Sequence, residues 1–179
     1  MLSPLKAFAA LLTFAVLAGS GLVAAFAPDS PTSRESANES TRPGPREVET
    51  RLSEEEARAL FDRLRRRLEA AYHGRSHRAL IEVVARGSPQ HAQSRRDLQL
   101  LERNNLLDRT RSRTLDVSIV AIEPDRLVVS ERTAVRARYL DDATYIEVDL
   151  PLGPTRSTSE WTLEKRVDRW LIVSSRVTG

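Results

Sequence analysis

The chain has no cysteine in its 179 residues, which excludes disulfides, thiolate metal sites, a cysteine nucleophile and lipid attachment through a thioether. Aromatic residues are 5 % and none alternates with the basic residues, so the stacking platform that single-stranded nucleic acid needs is missing. Lysine is almost absent: Lys6 and Lys165 are the only two among 28 cations. There is no P-loop, dinucleotide fingerprint or GxSxG elbow; the nearest approach, Gly19-Ser20-Gly21, lies in the N-terminal apolar run. What is present is 40 % apolar and 30 % charged residues, enough for one packed domain with appendages. The net charge is only +3. Between Arg58 and Arg113 there are 14 basic and 6 acidic residues, so the excess is concentrated in the middle third.

From Ala7 to Ala27 the chain carries no charge, a length that spans about 30 Å of hydrocarbon as a helix. Lys6 lies before it, and Asp29, Glu35 and Glu39 follow, which predicts a cytoplasmic N-terminus and the remainder outside. Residues 1–27 are thus read as a single-pass signal-anchor of the cell membrane. The alternative is a signal peptide cleaved after Ala18 or Ala27, with the rest secreted. Residues 28–52 are expected to be a disordered linker, because Pro28 to Thr50 is rich in Pro, Ser, Thr, Arg and Glu and holds almost no large apolar side chain. As a flexible coil it reaches about 25 to 30 Å, so the folded part can float free of the bilayer or touch it.

The folded part, 53–179, begins with a capping box at Ser53-Glu54-Glu55-Glu56. Ala57, Leu60, Phe61, Leu64, Leu68, Ala71 and Tyr72 then recur at helical spacing until Gly74. A shorter helix is predicted over Ser76 to Arg86, and a third from Ser88-Pro89 to about Asn104. After Asp108 the period becomes two. Leu115, Val117, Ile119 and Ala121 alternate with polar residues, and Glu123-Pro124-Asp125 turns the chain. Leu127 to Leu140 reads as a long second strand, with Thr133, Val135, Ala137 and Tyr139 on one face and Arg132, Arg136 and Arg138 on the other. Thr144, Ile146, Val148 and Leu150 predict a third. A fourth carries Ser159, Trp161, Leu163, Lys165 and Val167, and a tight turn leads into Trp170-Leu171-Ile172-Val173. The fold class is α+β: N-terminal helices packed on a curved antiparallel sheet of four to five strands.

Three helices followed by long antiparallel strands, closing with Trp161-Thr-Leu-Glu-Lys-Arg-Val-Asp-Arg-Trp170-Leu-Ile, resemble the NTF2-like superfamily, the cone-shaped fold that includes ketosteroid isomerase and polyketide cyclases. With an N-terminal membrane segment the chain is most similar to anchored actinobacterial members such as Mce-associated membrane proteins. The resemblance implies a curved sheet whose helices close a conical cavity, and members often dimerise through the open sheet face. It implies no activity, because the fold serves enzymes, binding modules and scaffolds alike.

Candidate sites are few. His73 and His77 have the spacing of two metal ligands on one helix face, but Gly74 and Ser76 between them end the helix, and no metal or other cofactor is expected. Polar groups that strand and helix faces can send into the cone are Tyr72, Asp116, Tyr139, Tyr145 and Glu147; Tyr72, Tyr139, Tyr145 and Trp161 are the cavity candidates. No catalytic residue is assigned. Trp161 and Trp170 are read first as core. Arg63, Arg65, Arg66, Arg67, Arg95 and Arg96 are the candidate surface for an anionic partner, a phospholipid or an acidic protein patch, and nucleic acid is not expected. The functional expectation is a membrane-tethered, non-catalytic extracytoplasmic domain that assists an envelope complex. The alternatives are a carrier of a small apolar ligand and an isomerase- or cyclase-type enzyme. A homodimer is compatible, although outward arginines 132, 136 and 138 disfavour a dry symmetric contact across the long strand.

Overall fold

The computed structural model describes residues 51–148 and 155–179. The expected membrane segment and most of the linker lie outside them, and no helix within them is long and apolar enough to cross a membrane. Helix α1 spans Glu54–His73. The Ser53 hydroxyl accepts the Glu56 N–H at 3.2 Å, and the Glu56 carboxylate accepts the Ser53 N–H at 2.8 Å. Leu52, read as linker, packs against the core. Helix α2, His77–Val83, is shorter than expected because Val84 already turns extended and bridges Ile172. Helix α3 spans Pro89–Arg103, with Ser88 capping it through the His91 N–H.

Among the described residues six strands follow: β1 (Leu106–Asp108), β2 (Arg111–Ile122), β3 (Arg126–Arg136), β4 (Tyr139–Asp141), β5 (Thr155–Arg166) and β6 (Arg169–Val177). They form an antiparallel sheet of order β2-β3-β5-β6 and a two-stranded sheet of β1 and β4. Leu127, Val129, Leu163 and Ile172 on the inner face of the larger sheet meet Phe61, Leu64, Leu68, Leu80 and Leu98 from the helices. Each of these buried side chains contributes about 1.5 to 3 kcal/mol by leaving water.

Two strand expectations are corrected. The run from Leu127 to Leu140 is two strands, because the chain leaves the large sheet after Arg136 and Tyr139 pairs with Asp108 in the small one. The third strand, expected from Thr144, begins only after a turn over 142–144. The Asp141 carboxylate accepts the N–H groups of Ala143 and Thr144, at 3.1 and 2.8 Å, and Tyr145 takes a φ of 58°. From Ile146 on the segment pairs back onto β4: the Asp141 N–H donates to the Ile146 carbonyl and the Val148 N–H to the Tyr139 carbonyl, both at 2.9 Å, and Glu147 bridges Leu140; Leu150 lies outside the described residues. Val167, expected to line one side of β5, stands at the hairpin tip with a φ of 57° and is 92 % exposed.

One end of the domain gathers the β2–β3 turn and the β5–β6 hairpin, joined by the Lys165 N–H to the Asp125 carbonyl at 2.7 Å. Helix α1 runs away from that end: Arg58 and Asp62 lie near Val117, whereas His73 reaches the Thr110 carbonyl at 3.1 Å. The chain therefore enters the fold at the hairpin end.

Candidate functional site

The inner face of the sheet changes character along its strands. Towards the hairpin end it is apolar, with Leu127, Val129, Trp161, Leu163 and Ile172. Towards the other end the inward positions are mixed: Glu131, Thr133 and Val135 on β3, Ser157 and Ser159 on β5, and Ser175 and Val177 on β6. Polar side chains cannot interdigitate there as leucines do, and a cavity of about 110 Å³ lies between this half of the sheet and helices α1 and α3. For scale, an engineered apolar cavity of about 150 Å³ holds a benzene molecule.

On the helix side Tyr72 and Asp97 converge. The tyrosine hydroxyl donates to Asp97 Oδ2 at 3.1 Å and the Gln93 amide to Oδ1 at 2.8 Å. Burial raises the Asp97 carboxyl from 3.8 to about 6, and burial beside that carboxylate pushes the Tyr72 hydroxyl up, so it remains a donor throughout the neutral range. On the sheet side Glu131, 1 % exposed, accepts Arg65 Nε at 3.2 Å and the Thr114 hydroxyl at 3.0 Å. Arg65 also donates to Glu69 at 3.1 Å, and Glu69 accepts the Ser112 hydroxyl. The guanidinium sits 5.1 Å from the centroid of the Trp161 ring, within cation–π range. Gln90 accepts the Ser175 hydroxyl at 2.6 Å and donates to Ser94.

Two properties define what this lining can hold. Four carboxyl groups, Glu69, Asp97, Asp108 and Glu131, line the cavity against Arg65 and His73, and the guanidinium of Arg65 is already divided between two carboxylates. A small anion finds no free cation. Conversely, Trp161 Nε1 is buried without a hydrogen-bond partner, alone in this among the described side chains, and a lost hydrogen bond of that kind costs about 1 to 3 kcal/mol.

Of the expected cavity residues, Tyr72 and Trp161 line it. Tyr139 is buried in the core beneath β1, where burial raises its hydroxyl, and does not line the cavity. Tyr145 is 66 % exposed at the β4 turn, and Asp116 and Glu147 face solvent, the latter paired with Arg138 at 2.8 Å. All three leave the candidate set. Arg65 likewise leaves the anionic-partner surface, because it points inward. Arg63 and Arg67 line a groove with Leu60, Arg169 and the half-buried Trp170, while Arg66, Arg95 and Arg96 are exposed. His73 is held by the Thr110 carbonyl and His77 lies 3.3 Å from Glu102, so the pair does not converge on one point.

Asp97, Glu131, Glu69, Gln90 and Gln93 are site residues that sequence reasoning missed. The available signal was polarity at core-facing positions: Gln90, Ser94 and Asp97 fall with Leu98 and Leu101 on the buried stripe of α3, and Glu131 falls between Val129 and Thr133 on the inward face of β3.

The fold and site define an α+β domain in which helices cover a cavity of mixed polar and apolar lining on one face of an antiparallel sheet. No family model matches the chain, and no curated protein matches it. Among solved structures it is similar to the intermembrane space region of the chloroplast protein ARC6, with a TM-score of 0.52 and 14 % identity, over 73 % of this chain and 99 % of that one. At that identity the likeness is one of fold.

Proposed function

We propose that residues 53–179 form an NTF2-like extracytoplasmic domain, tethered to the membrane through 7–27, that binds a small polar, non-anionic molecule in its cavity. The observation that carries this reading is the cavity lining: buried carboxyl groups that accept hydrogen bonds, and one indole N–H that lacks an acceptor. A hydroxylated or amino compound with a carbonyl or ether oxygen satisfies both. An apolar ligand leaves the buried indole N–H without an acceptor, which disfavours the apolar-carrier reading.

The test is a thermal-shift panel on the full-length chain in non-ionic detergent, using small polyols, amines and amides with matched carboxylates. Stabilisation is expected from neutral or cationic members and not from carboxylates. Trp161→Phe keeps the ring, removes the N–H, and should abolish the shift without lowering the melting point of the free protein. Stabilisation by carboxylates alone refutes the reading. Tethering is checked separately with a phosphatase reporter fused after Gly179, active only outside the cytoplasm.

A second reading, isomerase-type proton transfer, is favoured by the Tyr72–Asp97 pair, since a carboxyl poised near neutrality beside a donor suits acid–base work. It requires that Asp97→Asn bind a ligand and fail to turn it over.

A further inference from the structure

Alternation on β3 sends Glu131, Thr133 and Val135 inward and therefore Arg132, Ala134 and Arg136 outward. The register then assembles a group that no single strand contains. Arg111 lies directly opposite Arg136, Arg113 opposite Ala134, and Arg156 on β5 opposite Ala134 from the other side. Five exposed arginines, 111, 113, 132, 136 and 156, thus surround a floor of Ala134 and Thr158 on the solvent face, behind the cavity half of the sheet.

Three features describe this group. Among the described residues none of the five has a carboxylate within ion-pair distance, as is also true of the exposed arginines 63, 66, 95 and 96. Two acids border that part of the face, Asp116 opposite Arg132 and Glu160 one pleat beyond Thr158, and Glu160 is already paired with Arg176. Finally, like charges directly opposite across strands destabilise a sheet, and Arg111 against Arg136 is such a pair. The fold sustains a repulsion that threonine or serine, frequent on the same face, would remove.

We propose that this outer face of the sheet is a docking surface for an acidic peptide segment of a partner protein. The patch is about 10 Å across, two strand spacings, and about 13 Å along β3 from Arg132 to Arg136, the length of four to five extended residues. Alternate side chains of an extended acidic segment repeat at about 6.6 Å and meet arginines two apart on a strand, such as 111 and 113. A floor of Ala134 and Thr158 allows close approach.

The probe is a fluorescein-labelled seven-residue peptide alternating glutamate and serine, titrated by anisotropy at low ionic strength against the full-length chain in non-ionic detergent. Arg132→Thr, Arg136→Thr and Arg156→Thr combined should weaken binding about tenfold or more, through loss of charge-assisted contacts. The same triple variant should melt no lower than the parent, because a cross-strand repulsion has gone. Arg66→Thr, Arg95→Thr and Arg96→Thr combined remove equal charge elsewhere and should change affinity less than about twofold. Should the first triple variant not fold, Arg136→Glu alone provides the same readout. Equal losses in the two triple variants, absence of peptide binding, or patch-dependent binding of phosphatidylglycerol vesicles in place of the peptide would each overturn the proposal.

Discussion

Replacing Asp97 by asparagine should make the chain more stable at high pH and less stable at low pH. The parent carboxyl is 1 % exposed and its pKa rises from 3.8 to about 6 in the fold. Keeping it ionised at pH 8 therefore costs about 3 kcal/mol, at about 1.4 kcal/mol per pKa unit. Because the folded state binds the proton more tightly than the unfolded state, this group's contribution to stability is fully present below about pH 4 and is lost as pH rises through about 6. Asparagine has no proton to lose. Its carbonyl can still accept the Tyr72 hydroxyl, but its NH2 faces the Gln93 amide donor, at a cost of about 1 kcal/mol. The variant should be more stable than the parent by about 2 kcal/mol at pH 8 and less stable by about 1 kcal/mol at pH 4. Urea denaturation of the full-length chain in non-ionic detergent, followed by tryptophan fluorescence, measures both. A stability difference that is the same at the two pH values refutes the assignment of a raised carboxyl to this position.

Glu131→Ala should cost about 3 kcal/mol, because it leaves Arg65 buried against Trp161 with Glu69 alone, and most of that loss should return in the double variant Arg65→Met, Glu131→Leu. A single-variant cost below about 1 kcal/mol in the same assay contradicts a buried pair. Ser53→Ala removes the capping hydroxyl of α1 and should cost about 1 kcal/mol, read as a lower urea midpoint. Val167→Gly should gain about 0.5 to 1 kcal/mol, since a β-branched residue is strained at a φ of 57° and this side chain is 92 % exposed, with little packing to lose; a lower melting point counts against the strain.

Helix starts were legible because their signals are local: the Ser53 and Ser88 hydroxyls act within one turn, as does Pro89 after its cap. The β5–β6 hairpin was legible for the same reason, with alternation on both sides of a short turn. Periodicity reports which face a residue takes and not which strand it pairs with. Alternation continues smoothly from Val135 through Ala137 to Tyr139 although the partner changes from β2 to β1, so one strand was expected where there are two. Strand β1, three residues long and buried throughout, offers no alternation to read. The turn after β4 runs on through Thr144, a residue expected in a strand, because the Asp141 side chain captures backbone N–H groups that a strand would have used. The cavity could not be composed from the chain alone: Asp97 belongs to a helix and Glu131 to a strand 34 positions later, and only tertiary packing brings them to the same space.

The inner face of the sheet, apolar at one end and mixed at the other, divides labour between two sets of residues. Leu127, Val129, Leu163 and Ile172 meet the helix side chains in the continuous core, and none of the four lines the cavity. Thr133, Ser157, Ser159 and Ser175 line the cavity and contribute little to that core. Substitutions at the second set change what the cavity recognises while drawing only lightly on the margin that keeps the chain folded, which for a domain this size is about 5 to 15 kcal/mol. Such a scaffold can change ligand by successive single replacements, each intermediate still folded, and its specificity is then free to diverge faster than its architecture.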